Sequence, residues 1–227
     1  MTDDTIEASK GTKRIEALSD GIFAIAMTLL VLDIKVPQVE QSGELQHALV
    51  ELWPEYFAFV VGFFTLLVCW INHHYMFEHI VRSNGTLLLL NGFKALVVSF
   101  TPFATALLSS YIDTEEVGLA VAVYTGNFFL MGLTMTGIWC YAQQKGFTRA
   151  ADEATLRTAT RYYIFTPVMA GVIFLVSFFS VWVSLAIFLL MFALYAFPSR
   201  TVRALTNYRA ARAVKSADER EPAAPRV

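Results

Sequence analysis

The sequence contains six runs of mostly apolar residues, each close to the length needed to cross a lipid bilayer. A helix needs about 20 such residues to span roughly 30 Å of hydrocarbon. The runs lie near residues 15–36, 55–79, 86–110, 117–141, 158–179 and 182–199. Because the last two are nearly continuous and would form a helix of about 50 Å, we predict a tight turn near Ser180. With 56% hydrophobic and only 16% charged residues, the chain is predicted to be an all-α integral membrane protein with six transmembrane helices.

The charged residues are distributed unequally between the segments that connect these runs. If the N-terminus is cytoplasmic, the segments on that side contain nearly all of the Lys and Arg residues, whereas the external segments contain only Lys35. Cytoplasmic segments of membrane proteins carry such an excess of basic residues, so both termini are predicted to be cytoplasmic. The external segments are acidic, and they either raise the local cation concentration modestly or are simply solvated.

Other features narrow the class of protein. Cys69 and Cys140 both lie in apolar runs, which favours core positions over a disulfide or a metal site. The N-terminal segment shows no cleavage signal, so the first helix is expected to be retained. No catalytic motif is present, which argues against an enzyme, and no nucleic-acid partner is indicated. Residues 200–227 are predicted to be a basic tail, helical and then disordered, after a transmembrane domain over residues 1–199.

A few polar residues interrupt the predicted spans. They are Ser19, Asp20, Thr28, Asn72, His73, His74, Asn91, Lys94 and Asn127. A polar group in hydrocarbon is costly, so each is a candidate for function or for an internal network. For Asp20 we expect a network with His73, His74, Asn91 and Lys94 at the same depth, with direct ion or proton handling as the alternative. Lys94 is expected to extend its amine toward the cytoplasmic surface.

The first span has an aliphatic stripe. At 100° per residue, Leu29 and Leu32 fall within about 40° of Ile25, and Thr28 lies at about 60° on its other side. Asp20 falls about 140° from Ile25, away from the stripe. Such a stripe usually faces lipid or a protein core, so spacing alone does not make it functional.

The histidines do not indicate a bound cofactor or metal. His73, His74 and His79 share one span and His47 lies in a loop, whereas a membrane haem needs two facing ligands, usually from different helices. A zinc site is equally disfavoured. A pH-sensing role for His73 or His74 is chemically reasonable, and a packing role is the alternative.

The first three spans resemble those of the transmembrane protein 175 family, the lysosomal potassium channel and its bacterial relatives. The family motif is Arg, three residues, then Phe-Ser-Asp-Gly. This sequence matches it at Arg14, Ser19, Asp20 and Gly21, with Leu18 in place of Phe. The similarity continues through "WINHHYMF" and "LNGFKALVVSFTPFATALL", including Trp70, Asn72, His73, His74 and Asn91.

The resemblance implies a homotetrameric potassium channel with the first helix of each subunit lining the pore. Ile25 matches the family constriction, with Leu29 and Leu32 as further pore positions and Thr28 as a selectivity candidate. The motif Arg, Ser and Asp would tie the first span to the second and third. No TVGYG-like carbonyl filter is present, so an apolar collar would gate by dewetting, with modest preference for potassium over sodium. No cofactor is implied; the permeant ion is potassium.

Two alternatives remain open at this stage. A proton or mixed-cation leak would share the architecture and use Asp20 and the histidines. A secondary transporter would be expected to have broken helices, and Pro102 and Pro167 could break the third and fifth spans at corresponding places. The absence of targeting signals favours a prokaryotic plasma membrane.

Overall fold

The computed structural model describes residues 3–39, 43–149 and 153–196, and all of the regular structure in these ranges is helical. The helices are α1 (Asp3–Leu29), α2 (Leu45–Glu51), α3 (Trp53–His79), α4 (Gly85–Tyr111), α5 (Val117–Gln144), α6 (Glu153–Ser177) and α7 (Val181–Ala196). A 3₁₀ turn, Leu30–Asp33, continues α1. The predicted tail, residues 200–227, lies outside the described residues.

Within the described ranges, five helical segments are long and apolar enough to cross a membrane. They are Gly11–Asp33, Trp53–His79, Gly85–Tyr111, Val117–Gln144 and Leu156–Ser177. The sixth predicted span corresponds to α7, of which the structure describes 16 residues, about 24 Å at 1.5 Å per residue. Length and composition therefore support five of the six predicted spans.

The predicted turn near Ser180 is present. α6 ends at Ser177 and α7 begins at Val181, and the Ser180 amide donates to the carbonyl of Val176 at 2.9 Å. The Ser184 hydroxyl donates to the Ile173 carbonyl at 3.0 Å and joins the two helices. Because a polar group in lipid must find a partner inside the protein, this bond stabilises the hairpin.

The connections α3–α4 and α5–α6 lie at the same end of the helices. An isolated antiparallel bridge joins Ile80 to Thr148, and Asn84 caps α4 by accepting from the Leu87 amide at 3.0 Å. The α5–α6 connection follows Gln144 and contains Gly146, which has φ +65°. We call the end of the helices that carries these two connections the basic end, because its exposed residues include Lys13, Arg82, Lys145, Arg149 and Arg161.

α1 packs against α3 and α4, which surround its inward face. One cluster of buried side chains combines Phe23 and Ala26 of α1 and Leu30 of the 3₁₀ turn with Leu66 of α3 and Val98 of α4. Gly62 of α3 lets Thr105 of α4 and Leu30 approach its backbone closely, because it has no side chain.

The chain divides into two compact units, residues 1–189 and 190–227. Of the second unit, the structure describes only the end of α7.

Both prolines that could have broken the spans lie inside continuous helices. α4 runs through Pro102 and α6 runs through Pro167. The expectation of paired half-helices, which a transporter would favour, is therefore wrong for these two helices.

Candidate functional site

α1 has one buried face and one exposed face. Phe23, Ala26 and Leu30 are almost fully buried against α3 and α4. Ile25, the predicted constriction residue, is 60% exposed, and Leu29 and Leu32 of the same predicted stripe are also exposed. The predicted stripe is therefore not part of the core of its own chain, and it is free to contact lipid, a lumen or another copy.

Thr28 is exposed beside the stripe. Its hydroxyl lies 3.0 Å from the Ala24 carbonyl oxygen and 2.9 Å from that of Ile25. Because the single hydroxyl proton is donated to the helix backbone, the oxygen presents its remaining lone-pair density away from the helix. A hydroxyl in this state can accept from water or contact a cation.

The motif residues Ser19 and Asp20 join α1 to its two neighbours. The side chains of Ser19 and Asn91 of α4 are hydrogen-bonded to each other. The Ser19 hydroxyl lies 3.3 Å from Asn91 Oδ1 as donor and 3.1 Å from Asn91 Nδ2 as acceptor. The Trp70 indole of α3 donates to Asp20 Oδ1 at 2.8 Å, and the Trp70 ring stacks on His74 at a centroid distance of 6.0 Å.

This arrangement differs from the predicted one in the choice of partner. We expected Asp20 to bond to His73, His74, Asn91 or Lys94, but its hydrogen bond is with Trp70, and Asn91 is bonded to Ser19 instead. The motif residues Arg14 and Gly21 are exposed, and among the described residues no cross-helix bond of Arg14 is found. Gly21 has open space where a side chain would lie.

Lys94 lies in the core between α1, α3 and α4. It is only 1% exposed, its Nζ is 2.7 Å from His73 Nδ1, and it lies 5.2 Å from the centre of the Phe23 ring. The expectation that Lys94 extends to the membrane surface is therefore wrong, because His73 and Phe23 provide partners inside the protein. The Nε2 atom of His73 has no hydrogen-bond partner among the described residues.

A second set of polar contacts links α3 to α6. The side-chain oxygen of Asn72 accepts from the Tyr162 hydroxyl at 2.9 Å, and its main-chain carbonyl accepts from the Tyr163 hydroxyl at 3.3 Å. Asn72 is one of the predicted polar residues, whereas neither tyrosine could be singled out from its spacing or composition. The only signal was their position, since a tyrosine near a span end often has a polar partner.

The middle of the bundle contains further buried hydrogen bonds. The Asn127 amide donates to the Thr101 hydroxyl at 3.0 Å, and the Thr65 and Tyr124 hydroxyls lie 3.0 Å apart. These contacts join α3, α4 and α5 where water is excluded. In the part of the chain that the structure describes, no group of three or more His, Cys, Asp or Glu residues could hold a metal ion.

The sequence is similar to a family of ion channels. Residues 14–102 match the family model described as endosomal/lysosomal potassium channel TMEM175. A protein of Chamaesiphon minutus named as a potassium channel is 41% identical over 181 residues, covering 78% of this chain and 89% of that protein. A potassium channel of Streptomyces collinus is 40% identical over 151 residues, covering 65% and 73% respectively.

A more distant relative and a solved structure carry the same family name. The endosomal/lysosomal proton channel TMEM175 of Gallus gallus is 32% identical over 139 residues, covering 57% of this chain but only 28% of that protein. The crystal structure of a lysosomal potassium-selective channel TMEM175 homologue from Chamaesiphon minutus matches with a TM-score of 0.76 and 38% identity. That match covers 85% of this chain and 98% of the other.

Proposed function

The chain belongs to the TMEM175 family of ion channels, and from this membership we propose that it is a potassium-permeable cation channel. It assembles as a homotetramer in a prokaryotic plasma membrane, with both termini cytoplasmic and residues 1–199 forming the channel domain. This proposal is supported by the bacterial relatives at 40–41% identity, which are named as potassium channels. Members of the family are ion channels rather than enzymes.

The observation that carries the pore assignment is the exposed aliphatic face of α1. Ile25 is 60% exposed on a helix whose opposite face is anchored to α3 and α4. In a tetramer with α1 next to the symmetry axis, four Ile25 side chains form a narrow apolar collar, with Leu29 and Leu32 extending it. Such a constriction excludes water when narrow and admits partly hydrated ions when slightly wider.

Selectivity in this pore is modest and favours potassium over sodium. The sequence contains no carbonyl filter of the TVGYG type, so the hydration shell is not replaced by a ring of backbone oxygens. Thr28 is the candidate for weak selectivity, because its proton is bonded to the backbone and its oxygen is left as an acceptor.

The test is ion flux into liposomes that contain the purified protein, under a potassium gradient and then under a sodium gradient. Wild type is expected to carry potassium faster than sodium. Ile25→Asn wets the collar and is expected to raise the flux several-fold or to abolish discrimination between the two ions.

The matched control is Leu96→Asn on α4. Leu96 is 64% exposed, and the Ser19–Asn91 contact puts it near the level of Ile25 along the parallel helices. It is expected to leave flux and selectivity close to wild type. Equal effects of the two substitutions would contradict a collar at Ile25, and the failure of both wild type and Ile25→Asn to conduct would contradict the channel.

A proton or mixed-cation leak is the second candidate. It is favoured by the exposed carboxylate of Asp20, which accepts a hydrogen bond from Trp70, and by the animal relatives named as proton channels. In the same liposomes, a proton flux that is lost in Asp20→Asn while potassium flux persists would support this candidate. A proton flux unchanged by Asp20→Asn would exclude Asp20 from that role.

A further inference from the structure

Three cations lie on two adjoining connections at the basic end. Arg82 belongs to the α3–α4 connection, and Lys145 and Arg149 belong to the α5–α6 connection. All three side chains are exposed, and none forms an ion pair within the described ranges. We call these three residues the basic patch. Unpaired cations in one place attract an anion from outside the chain.

The backbone holds the two connections against each other. Ile80 and Thr148 form an antiparallel bridge, and beside it the Arg149 amide donates to the His79 carbonyl at 2.7 Å. Arg82 lies two residues beyond Ile80, and the Val81 amide between them donates to the Phe147 carbonyl at 2.8 Å. The three cations are therefore mounted on one small, hydrogen-bonded unit, which lowers the entropy lost when they bind a common ligand.

The end of α5 fixes the position of Lys145. The Phe147 amide donates to the Ala142 carbonyl at 2.8 Å and the Gly146 amide donates to the Gln143 carbonyl at 3.0 Å. This pair of bonds, with Gly146 at φ +65°, is the Schellman arrangement that ends a helix. Lys145 is the C-cap residue, so its backbone is held by the cap rather than by a free loop.

An exposed aliphatic surface begins next to the basic patch. Leu88 and Leu89 in the first turns of α4 are both exposed, and α4 is long and apolar enough to cross a membrane. A soluble anion would use the cations alone. A ligand that uses both features must combine an anionic group with hydrocarbon chains, which is the chemistry of an acidic phospholipid.

The opposite end of the helices has the reverse charge. Its exposed residues include Glu44, Glu51, Asp113, Glu115 and Glu116. These carboxylates repel acidic headgroups, so the attraction is confined to one leaflet.

We propose that the basic patch binds the phosphate headgroup of an anionic phospholipid in the adjacent leaflet, with its acyl chains along Leu88 and Leu89. This binding does not depend on ion conduction. Each Lys or Arg near an acidic membrane surface contributes about 1 kcal/mol, so loss of all three cations is expected to weaken binding about a hundredfold.

The experiment measures the unfolding temperature of the full chain in a neutral detergent during titration with short-chain lipids. The probes are dioctanoyl phosphatidylglycerol, dioctanoyl phosphatidylcholine and inorganic phosphate. Wild type is expected to be stabilised by phosphatidylglycerol and not by the other two. In Arg82→Gln/Lys145→Gln/Arg149→Gln, the stabilisation is expected to need about a hundredfold more phosphatidylglycerol.

The matched control removes three cations elsewhere, in Lys13→Gln/Lys35→Gln/Arg161→Gln. It has the same net charge as the patch variant and is expected to respond to phosphatidylglycerol like wild type. If the patch variant does not fold, the three single substitutions serve instead, each expected to weaken binding about fivefold.

Three results would overturn the proposal. An equal loss in the control would mean that total charge, rather than the basic patch, attracts the lipid. Stabilisation by inorganic phosphate at the same concentration would identify a site for soluble anions. Equal stabilisation by phosphatidylcholine would show that the headgroup charge plays no part. Because the assay reads lipid binding, none of these results depends on whether the protein conducts potassium.

Discussion

Gly62 on α3 offers a quantitative test of how closely α1, α3 and α4 are packed. A Cβ added at Gly62 would lie 2.9 Å from Thr105 Oγ1, 3.0 Å from Thr105 Cγ2 and 3.3 Å from Leu30 Cδ2. The first distance is shorter than real Cβ contacts and the second is tighter than most of them, so Gly62→Ala requires Thr105 of α4 to move away from α3. Overpacking of this kind costs about 1–3 kcal/mol, and we expect Gly62→Ala to lower the free energy of unfolding by that amount.

The double variant Gly62→Ala/Thr105→Ala is expected to recover most of this loss of stability. Thr105→Ala removes both of the clashing atoms, at the cost of the bond from Thr105 Oγ1 to the Thr101 carbonyl, which contributes about 0.5–1.5 kcal/mol. Of the three atoms nearest to the new methyl group, Leu30 Cδ2 at 3.3 Å then remains, and it need move only slightly. In the Thr105→Ala background, Gly62→Ala should therefore cost less than about 0.5 kcal/mol, a coupling of about 1–2 kcal/mol.

The assay is equilibrium unfolding in mixed micelles with increasing SDS, followed by circular dichroism. Gly137→Ala is the matched control, because Gly137 also lies in a long helix and has nothing within 4 Å of its added Cβ. If Gly62→Ala is as harmless as Gly137→Ala, or if Thr105→Ala fails to relieve it, the close packing of α3 on α4 is refuted. Since Leu30 belongs to the 3₁₀ turn that ends α1, the same contact positions the end of the proposed pore helix.

Three further substitutions test other contacts by the same unfolding assay. Lys94→Met should lower the free energy of unfolding by about 1–3 kcal/mol, because it leaves the buried His73 without its partner. Adding His73→Phe should recover most of this loss, and a double variant no more stable than the single one would contradict the pairing. Gly146→Ala should cost about 1–2 kcal/mol, because φ of +65° is strained for alanine, and a cost near zero would argue against the helix cap. Trp70→Phe should cost about 1 kcal/mol by removing the indole bond to Asp20, and the same loss in a background of Asp20→Ala would show that the bond is not responsible.

Helix positions could be predicted well from the sequence, for a simple physical reason. Every backbone polar group in hydrocarbon needs an internal partner, so an apolar run of sufficient length has almost no alternative to a helix. The predicted run 55–79 corresponds to Trp53–His79, and the predicted run 86–110 to Gly85–Tyr111. Length is less informative for short runs: the run 182–199 corresponds to α7, of which the structure describes the 16 residues Val181–Ala196, and this length alone does not establish a sixth span.

The partners of the polar residues could not be predicted to the same degree. Depth along the helices suggested four polar residues as partners of Asp20, but its carboxylate accepts from Trp70, which was not one of them. Hydropathy does not encode which side chain at a given depth a carboxylate reaches. Lys94 shows the same limit, because its long side chain can reach either the membrane surface or His73. The outcome depends on the rotation of α3 relative to α4, which is a property of the packed helices and of neither sequence segment alone.

The polar contacts also explain how α1 can leave an aliphatic face unused by its own chain. Lipid tails are as apolar as leucine, so burial in protein gives an aliphatic side chain no large advantage inside a membrane. The stripe at Ile25 therefore cannot orient its helix, whereas Ser19 and Asp20 can, through Asn91 and Trp70. A rotation of α1 by one residue, about 100°, would break both contacts and leave polar groups facing hydrocarbon. The motif therefore fixes the rotation of α1, and the direction in which Ile25 points is a consequence of bonds made on the other side of the helix.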